Sequence, residues 1–241
     1  MAAEEEADEL LAAGGDLDGL LARRLSGEPL AWVTGTARFC GLDLMVHPGV
    51  YVPRWQSETL ARTAARLLPG HGTAVDLGTG CGAVAAVLRA AHPGARVMAT
   101  EVDPVAAACA RANGVHVLEG DLDEPLPGEL EGGVDVLAGV LPYVPHGAMH
   151  LLPRDSADRE PLVALDGGED GLAVVARAVS ASTRWVVPGG WLLLEVGADQ
   201  CPATAALFEA ADYVDLQVLE DGDGDRRGVC GRLSGAGTRR D

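Results

Sequence analysis

Apolar positions along the chain change period twice. Residues 1–28 carry Leu10, Leu11, Leu17, Leu20 and Leu21 at helical spacing, interrupted by Gly14-Gly15, which predicts one or two short helices. A stretch rich in turn signals runs from 27 to 53. Helical spacing returns over 57–68 through Leu60, Ala64, Leu67 and Leu68, and Pro69-Gly70 stops it. Beyond residue 70 short apolar runs alternate with helical ones. Strands are predicted at 73–77, 96–100, 115–118, 134–141 and 191–196. Helices are predicted at 83–91, 104–112, 172–183 and 201–211, with Pro104 in a first turn and Pro188-Gly189-Gly190 closing the third. Runs at 214–219 and 228–233 flank Asp221-Gly222-Asp223-Gly224-Asp225 and read as an antiparallel hairpin with a solvated acidic tip.

This alternation predicts an α/β fold: an open, mostly parallel sheet with helices on both faces and the hairpin at one edge. The division expected is a short N-terminal helical segment (1–28), a connecting segment and helix (29–70), one α/β domain (71–235) and a tail (236–241). Leu and Val on the N-terminal helices offer a face for a homodimer.

Composition narrows the chemistry. Lys+Arg is 18 against Asp+Glu 36, a formal charge of −18, and such a surface repels phosphate backbones, so no nucleic-acid partner is expected. Lys and Ile are absent and Asn occurs once, at Asn113. A Schiff-base lysine is therefore excluded. Five cysteines, with no C-x-x-C pair, suit neither a disulfide framework nor a metal site, so no metal is expected. The acidic N-terminus lacks the basic region of a signal peptide and no apolar run is long enough to span a membrane; a cytoplasmic protein without a membrane partner is expected.

The strongest local signal is Val75-Asp76-Leu77-Gly78-Thr79-Gly80-Cys81-Gly82, which follows a strand and opens a helix. Glycines there permit a tight turn and close approach of a ligand to the backbone. Gly78-x-Gly80-x-x-Ala83, with Glu101 and Asp103 downstream, also fits a dinucleotide fingerprint. Two features favour S-adenosyl-L-methionine. Asp76 suits a cationic ammonium and opposes a pyrophosphate, and Gly120-Asp121-Leu122 supplies an acid and an apolar side chain for adenine. The combination resembles the class I methyltransferases, whose Rossmann-like sheet is then the expected form of the 71–235 domain. The cofactor set is Asp76, Gly78, Thr79, Gly80, Cys81, Gly82, Glu101, Val102, Asp121, Leu122 and Val140.

A narrower resemblance lies outside that motif. Glu28-Pro29-Leu30-Ala31-Trp32, Phe39-Cys40-Gly41-Leu42, Val52-Pro53-Arg54 with Glu58, Glu160-Pro161 through Asp170-Gly171-Leu172, Pro188-Gly189-Gly190 and Leu194-Glu195-Val196-Gly197 run in order. They are similar to the HemK/PrmC family, protein glutamine methyltransferases that act on release factors. That family's Asn-Pro-Pro-Tyr is replaced by Val140-Leu141-Pro142-Tyr143. In the family the Asn carboxamide and the next carbonyl hold the substrate amide; Val140 accepts no hydrogen bond, and a buried amide left without its acceptor costs about 1–3 kcal/mol. The family also carries a longer helical segment before the Glu-Pro pair than the residues preceding Glu28 here. The expected function is therefore methyl transfer to a small-molecule acceptor other than glutamine, of the kind found in specialised metabolism. The alternatives are glutamine methylation of a release factor and cofactor binding without catalysis.

An acceptor that must lose a proton needs a base. Tyr143 and His146 are the expected catalytic residues, with His150 behind them. Val140, Leu141, Pro142, Tyr143, Arg54 and Trp55 are the expected substrate contacts. Arg54 and Glu160 also read as an ion pair tying the N-terminal segment to the later loop.

Overall fold

In the computed structural model, which describes residues 3–235, three helices come first: α1 (Ala3–Ala13), α2 (Leu17–Leu25) and α3 (Leu30–Thr34). Asp16 caps α2 by accepting from the Gly19 amide. An antiparallel pair, β1 (Thr36–Phe39) and β2 (Leu42–Met45), and α4 (Glu58–Leu67) follow. Then come β3 (Thr73–Leu77), α5 (Ala83–Ala91), β4 (Arg96–Glu101), α6 (Pro104–Ala112), β5 (Val117–Glu119), β6 (Val134–Gly139), α7 (Arg154–Ala157), α8 (Ala173–Trp185), β7 (Val186–Glu195), α9 (Cys201–Ala210), β8 (Tyr213–Glu220) and β9 (Arg226–Leu233). The expected tail at 236–241 lies outside the described residues. No helix of the described residues is long and apolar enough to cross a membrane.

Seven strands form one sheet in the order β5-β4-β3-β6-β7-β9-β8, parallel as far as β7 and antiparallel in the last two. Alternation divides its side chains between two cores. Ala74, Val97, Ala99, Val136, Ala138 and Leu193 pack with α4, α5 and α6. Val75, Leu77, Met98, Leu137, Leu192 and Leu194 pack with α8 and α9. The order in which strands are added reverses between β3 and β6, which opens a crevice above their C-terminal ends.

Three expectations need correction. The 27–53 stretch contains α3 and the β1–β2 pair, whose four-residue strands are too short for alternation to reveal. The strand expected at 191 begins at Val186, so the Pro188-Gly189-Gly190 stop lies inside it. Val134 pairs with Val186 and Val136 with Trp191, so these residues form a bulge, with Gly189 at φ +88°. The strand expected over 134–141 ends at Gly139, because Val140 and Leu141 leave the sheet toward Pro142.

Asn113 has a structural post. Its carboxamide accepts from the Met45 amide and donates to the Met45 and Cys81 carbonyls, each at 2.8 Å. It thus pins the β1–β2 pair to the glycine turn. Asn113→Ala is expected to lower unfolding free energy by about 2–3 kcal/mol, at roughly 1 kcal/mol per lost bond, read as a lower urea midpoint with unchanged slope.

Candidate active site

Strand parity assembles the site. Asp76 is level with Ala99 on one side and Ala138 on the other, and Ala138 with Leu193. Two residues further, on the same face, stand Glu101, Gly78, Val140 and Glu195. The C-terminal rim above the α4–α6 core therefore carries a row of two carboxylates separated by a glycine and a valine, with Asp76 one step below. Asp76, Glu101 and Glu195 are 1%, 7% and 2% exposed.

A cavity of about 470 Å³ opens over the left half of this row. Asp76, Gly78, Thr79, Gly80, Cys81, Glu101, Val102, Asp121, Leu122, Val140, Leu141 and Pro142 line it, so most of the expected cofactor residues do converge. Gly82 does not. A Cβ there would meet Val115 at 2.8 Å and Ala110 at 3.2 Å, so its place is the packing of α5 against α6. The turn is drawn tight by its own carboxylates. Asp76 Oδ2 accepts from the Thr79 hydroxyl at 2.5 Å and the Ala85 amide at 3.1 Å. Glu101 accepts from the Gly80 and Asp103 amides at 2.8 and 3.0 Å. Burial pushes the Asp76 carboxyl up to about 7, and the hydrogen bonds from Thr79 and Ala85 oppose it. Asp121 accepts from Arg177 at 2.7 Å at the far wall.

A cradle of this shape fits S-adenosylmethionine. Gly78 and Gly80 hold φ of +61° and +58°, and a Cβ on Gly80 would project into open space. A buried acid below the turn matches an ammonium, and a second acid at the end of β4 matches a pair of hydroxyls.

A second cavity of about 650 Å³ adjoins the first and shares Tyr51, Pro53, Val140, Leu141 and Ala164 with it. Arg54, Trp55, Tyr143, Glu160, Glu195 and Arg227 line it. Arg54 donates to Glu160 at 2.6 Å and to Ser156 at 2.8 Å, and Glu160 also accepts from the Val52 amide at 2.9 Å. The expected Arg54–Glu160 ion pair is thus present, and Glu160 is fully buried within it. Trp55 is 56% exposed at the cavity mouth, with the Arg227 guanidinium 5.6 Å from its ring.

The two expected catalytic residues are placed differently: Tyr143 lines the second cavity and His146 does not. His146 lies outside both linings, its side chain 78% exposed and 3.0 Å from Asp166. The loop after Tyr143 turns away from the cavity because Val144 bridges Asp166 and the His146 amide bonds Gly168. His150 is likewise exposed. Tyr143 donates to Glu195 Oε1 at 3.1 Å, and burial together with that carboxylate drives its phenol to hold its proton more firmly. Its hydroxyl is thus engaged by Glu195. From sequence Glu195 stands out only as part of Leu194-Glu195-Val196-Gly197. It is the one charge in the apolar run from Trp191 to Val196, at the parity of Leu193.

Comparison with known proteins agrees with this geometry. No protein-family model matches the chain. A release factor glutamine methyltransferase of Geobacter sulfurreducens is 36% identical over 221 residues, covering 89% of this chain and 77% of that one. A 4-amino-L-phenylalanine/4-methylamino-L-phenylalanine methyltransferase of Streptomyces pristinaespiralis is 37% identical over 221 residues, covering 82% and 75%. A methyltransferase structure from Pyrococcus furiosus shares the fold, with a TM-score of 0.59 at 20% identity over 90% of this chain and 98% of that one. With its glycine turn, its rim carboxylates and relatives of this closeness, the chain belongs to the HemK/PrmC family of class I S-adenosylmethionine-dependent methyltransferases.

Proposed function

We propose that the chain methylates a small molecule and not a glutamine side chain. One observation carries this reading: Val140 stands at the rim position where the family presents its carboxamide, between the two cavities. No other carboxamide from Asn replaces it, since Asn113 is held by three hydrogen bonds at the base of the glycine turn. Val140, Leu141 and Pro142 give the acceptor an apolar wall. The Streptomyces relative, which by its name acts on a free amino acid, supports a small acceptor in this scaffold.

In this reading S-adenosylmethionine supplies a methyl group already activated on a sulfonium, so the protein's work is binding, orientation and exclusion of water. Asp76 holds the ammonium. Glu101, already fixed by two amides, receives the ribose hydroxyls. Asp121 and Leu122 border the adenine. Pro142 and Leu141 set the acceptor's approach, and Tyr143 fixes the neighbouring Glu195. Arg54 and Glu160 close the outer wall, with Trp55 at its edge.

Glutamine methylation of a release factor is the second reading, favoured by the survival of the 160–172 segment that resembles the family's. Labelled S-adenosylmethionine and a bacterial release factor separate the two. The wild type is expected to leave the release factor unlabelled, and Val140→Asn to raise labelling at least about tenfold, as the missing acceptor is restored. A methylated glutamine from the wild type would reverse the assignment.

Cofactor affinity is expected to depend on pH through Asp76. The ammonium favours the carboxylate, whose value in the free protein is about 7. Affinity for S-adenosylhomocysteine should be full above that pH and fall about tenfold per unit below it. Asp76→Asn should weaken binding about 10- to 100-fold and flatten the profile, as calorimetry will show.

A further inference from the structure

Glu195 is the buried acid that the roles above leave with an unused oxygen. Its Oε1 takes the Tyr143 hydroxyl, while Oε2 makes no hydrogen bond among the described residues. It is 2% exposed and lines the second cavity. The Ser57 hydroxyl lies close enough to favour its charge, yet Ser57 Oγ also completes no bond. Ser57 lines the first cavity and Glu195 the second, so the two unfinished groups meet where the cavities join. In the rim row Glu195 stands next to Val140, the acceptor wall. A buried polar atom without a partner is costly, and on a residue that lines a cavity a ligand seated there can complete it.

Resting on the small-molecule reading, we propose that Glu195 Oε2 is the acceptor-binding group of this enzyme, and that the acceptor it binds is an amine.

The choice of amine follows from charge. A neutral amine attacks with its lone pair: the new N–C bond forms, the C–S bond breaks with its electron pair left on sulfur, and the nitrogen becomes a cation that can release its proton. Positive charge thus grows where an unpaired carboxylate waits, the arrangement that favours a transition state over its ground state. A hydroxyl acceptor reacts as an oxyanion, and an anion would face the Glu195 carboxylate. Groups around Glu195 do not cancel its charge. Tyr143 and Tyr51 are kept neutral by burial. Arg227 lies near enough to favour the carboxylate but is bound by Asp221 at 2.6 Å and Asp225 at 2.9 Å. Arg54 is bound by Glu160 at 2.6 Å. Burial lifts the Glu195 carboxyl to about 7, so at pH 8 the site is anionic.

Benzylamine and benzyl alcohol, alike in shape and differing in charge, are the probes, titrated by calorimetry into enzyme saturated with S-adenosylhomocysteine. At pH 8 the wild type should bind benzylamine at least about tenfold more tightly than the alcohol, the worth of one hydrogen bond to a charged group. That preference should shrink about tenfold per unit below pH 7, a range in which benzylamine stays protonated. Glu195→Gln should abolish the preference and leave S-adenosylhomocysteine affinity within about twofold. Equal binding of the two probes by the wild type, which needs no variant to fold, overturns the proposal. So does a preference that survives in Glu195→Gln. Glutamine labelling of a release factor would instead overturn the underlying reading, whatever the benzylamine result.

Discussion

Everything in this molecule hangs on the alternation of side chains along a parallel sheet that is covered on both faces. Inside such a sheet every strand residue faces a core, so charge has no place except at the ends of the strands. Asp76, Glu101 and Glu195 occupy those ends, and all three share the parity that points toward α4–α6. A shift of one residue in β3, β4 or β7 would turn its acid into the opposite apolar core. The register set by Asp76↔Ala99 and Ala138↔Leu193 thus does two jobs at once: it seals the core and it lines the crevice.

The walls above the rim are held by a different device, a chain of ion pairs and backbone acceptors spanning distant segments. Arg24 pairs with Glu6 at 3.0 Å and with Asp155 at 3.7 Å, and Arg159 donates to the Ser26 carbonyl at 2.8 Å, so the N-terminal helices grip the 155–160 segment. That segment grips residues 52–54 through Glu160 and Ser156. Exposed pairs contribute little individually, about 0–1 kcal/mol. Glu160 is different. Fully buried, it needs both Arg54 and the Val52 amide to remain charged, so losing either partner would leave an uncompensated acid in the cavity wall.

What the sequence made legible follows the same physics. The strands and helices from 73 to 112 emerged nearly to the residue, because apolar period, Pro104 and the glycine turn all agree there. The glycine turn announced its ligand because its acids lie close to it in the chain. Less visible were features that depend on neighbours. The β1–β2 pair is stabilised by Asn113 from 68 residues away. Strand β7 keeps its pairing through a Pro-Gly-Gly bulge that local rules read as a stop. The place of His146, on the exposed side of the loop beside Asp166, depends on a bridge between Val144 and Asp166 that residue type does not announce. Glu195 was hidden for the converse reason: its neighbourhood to Val140 exists only once β6 and β7 are in register.

Position 140 borders the crevice without holding its frame together. The elements that hold the cofactor crevice, the Asp76 parity, the Glu101 amide pair and the Arg54–Glu160 wall, contain no group from position 140. Val140 lies beyond the end of β6, makes no ladder bond that its side chain influences, and packs against the α4–α6 core. Exchanging a carboxamide for an isopropyl group there removes a hydrogen-bond acceptor from the wall and leaves the register untouched. The polar groups near the junction of the two cavities then include Ser57, Gln56 and, one strand away, Glu195. A substitution at such a position acts on the polarity of the wall and not on the shape of the fold.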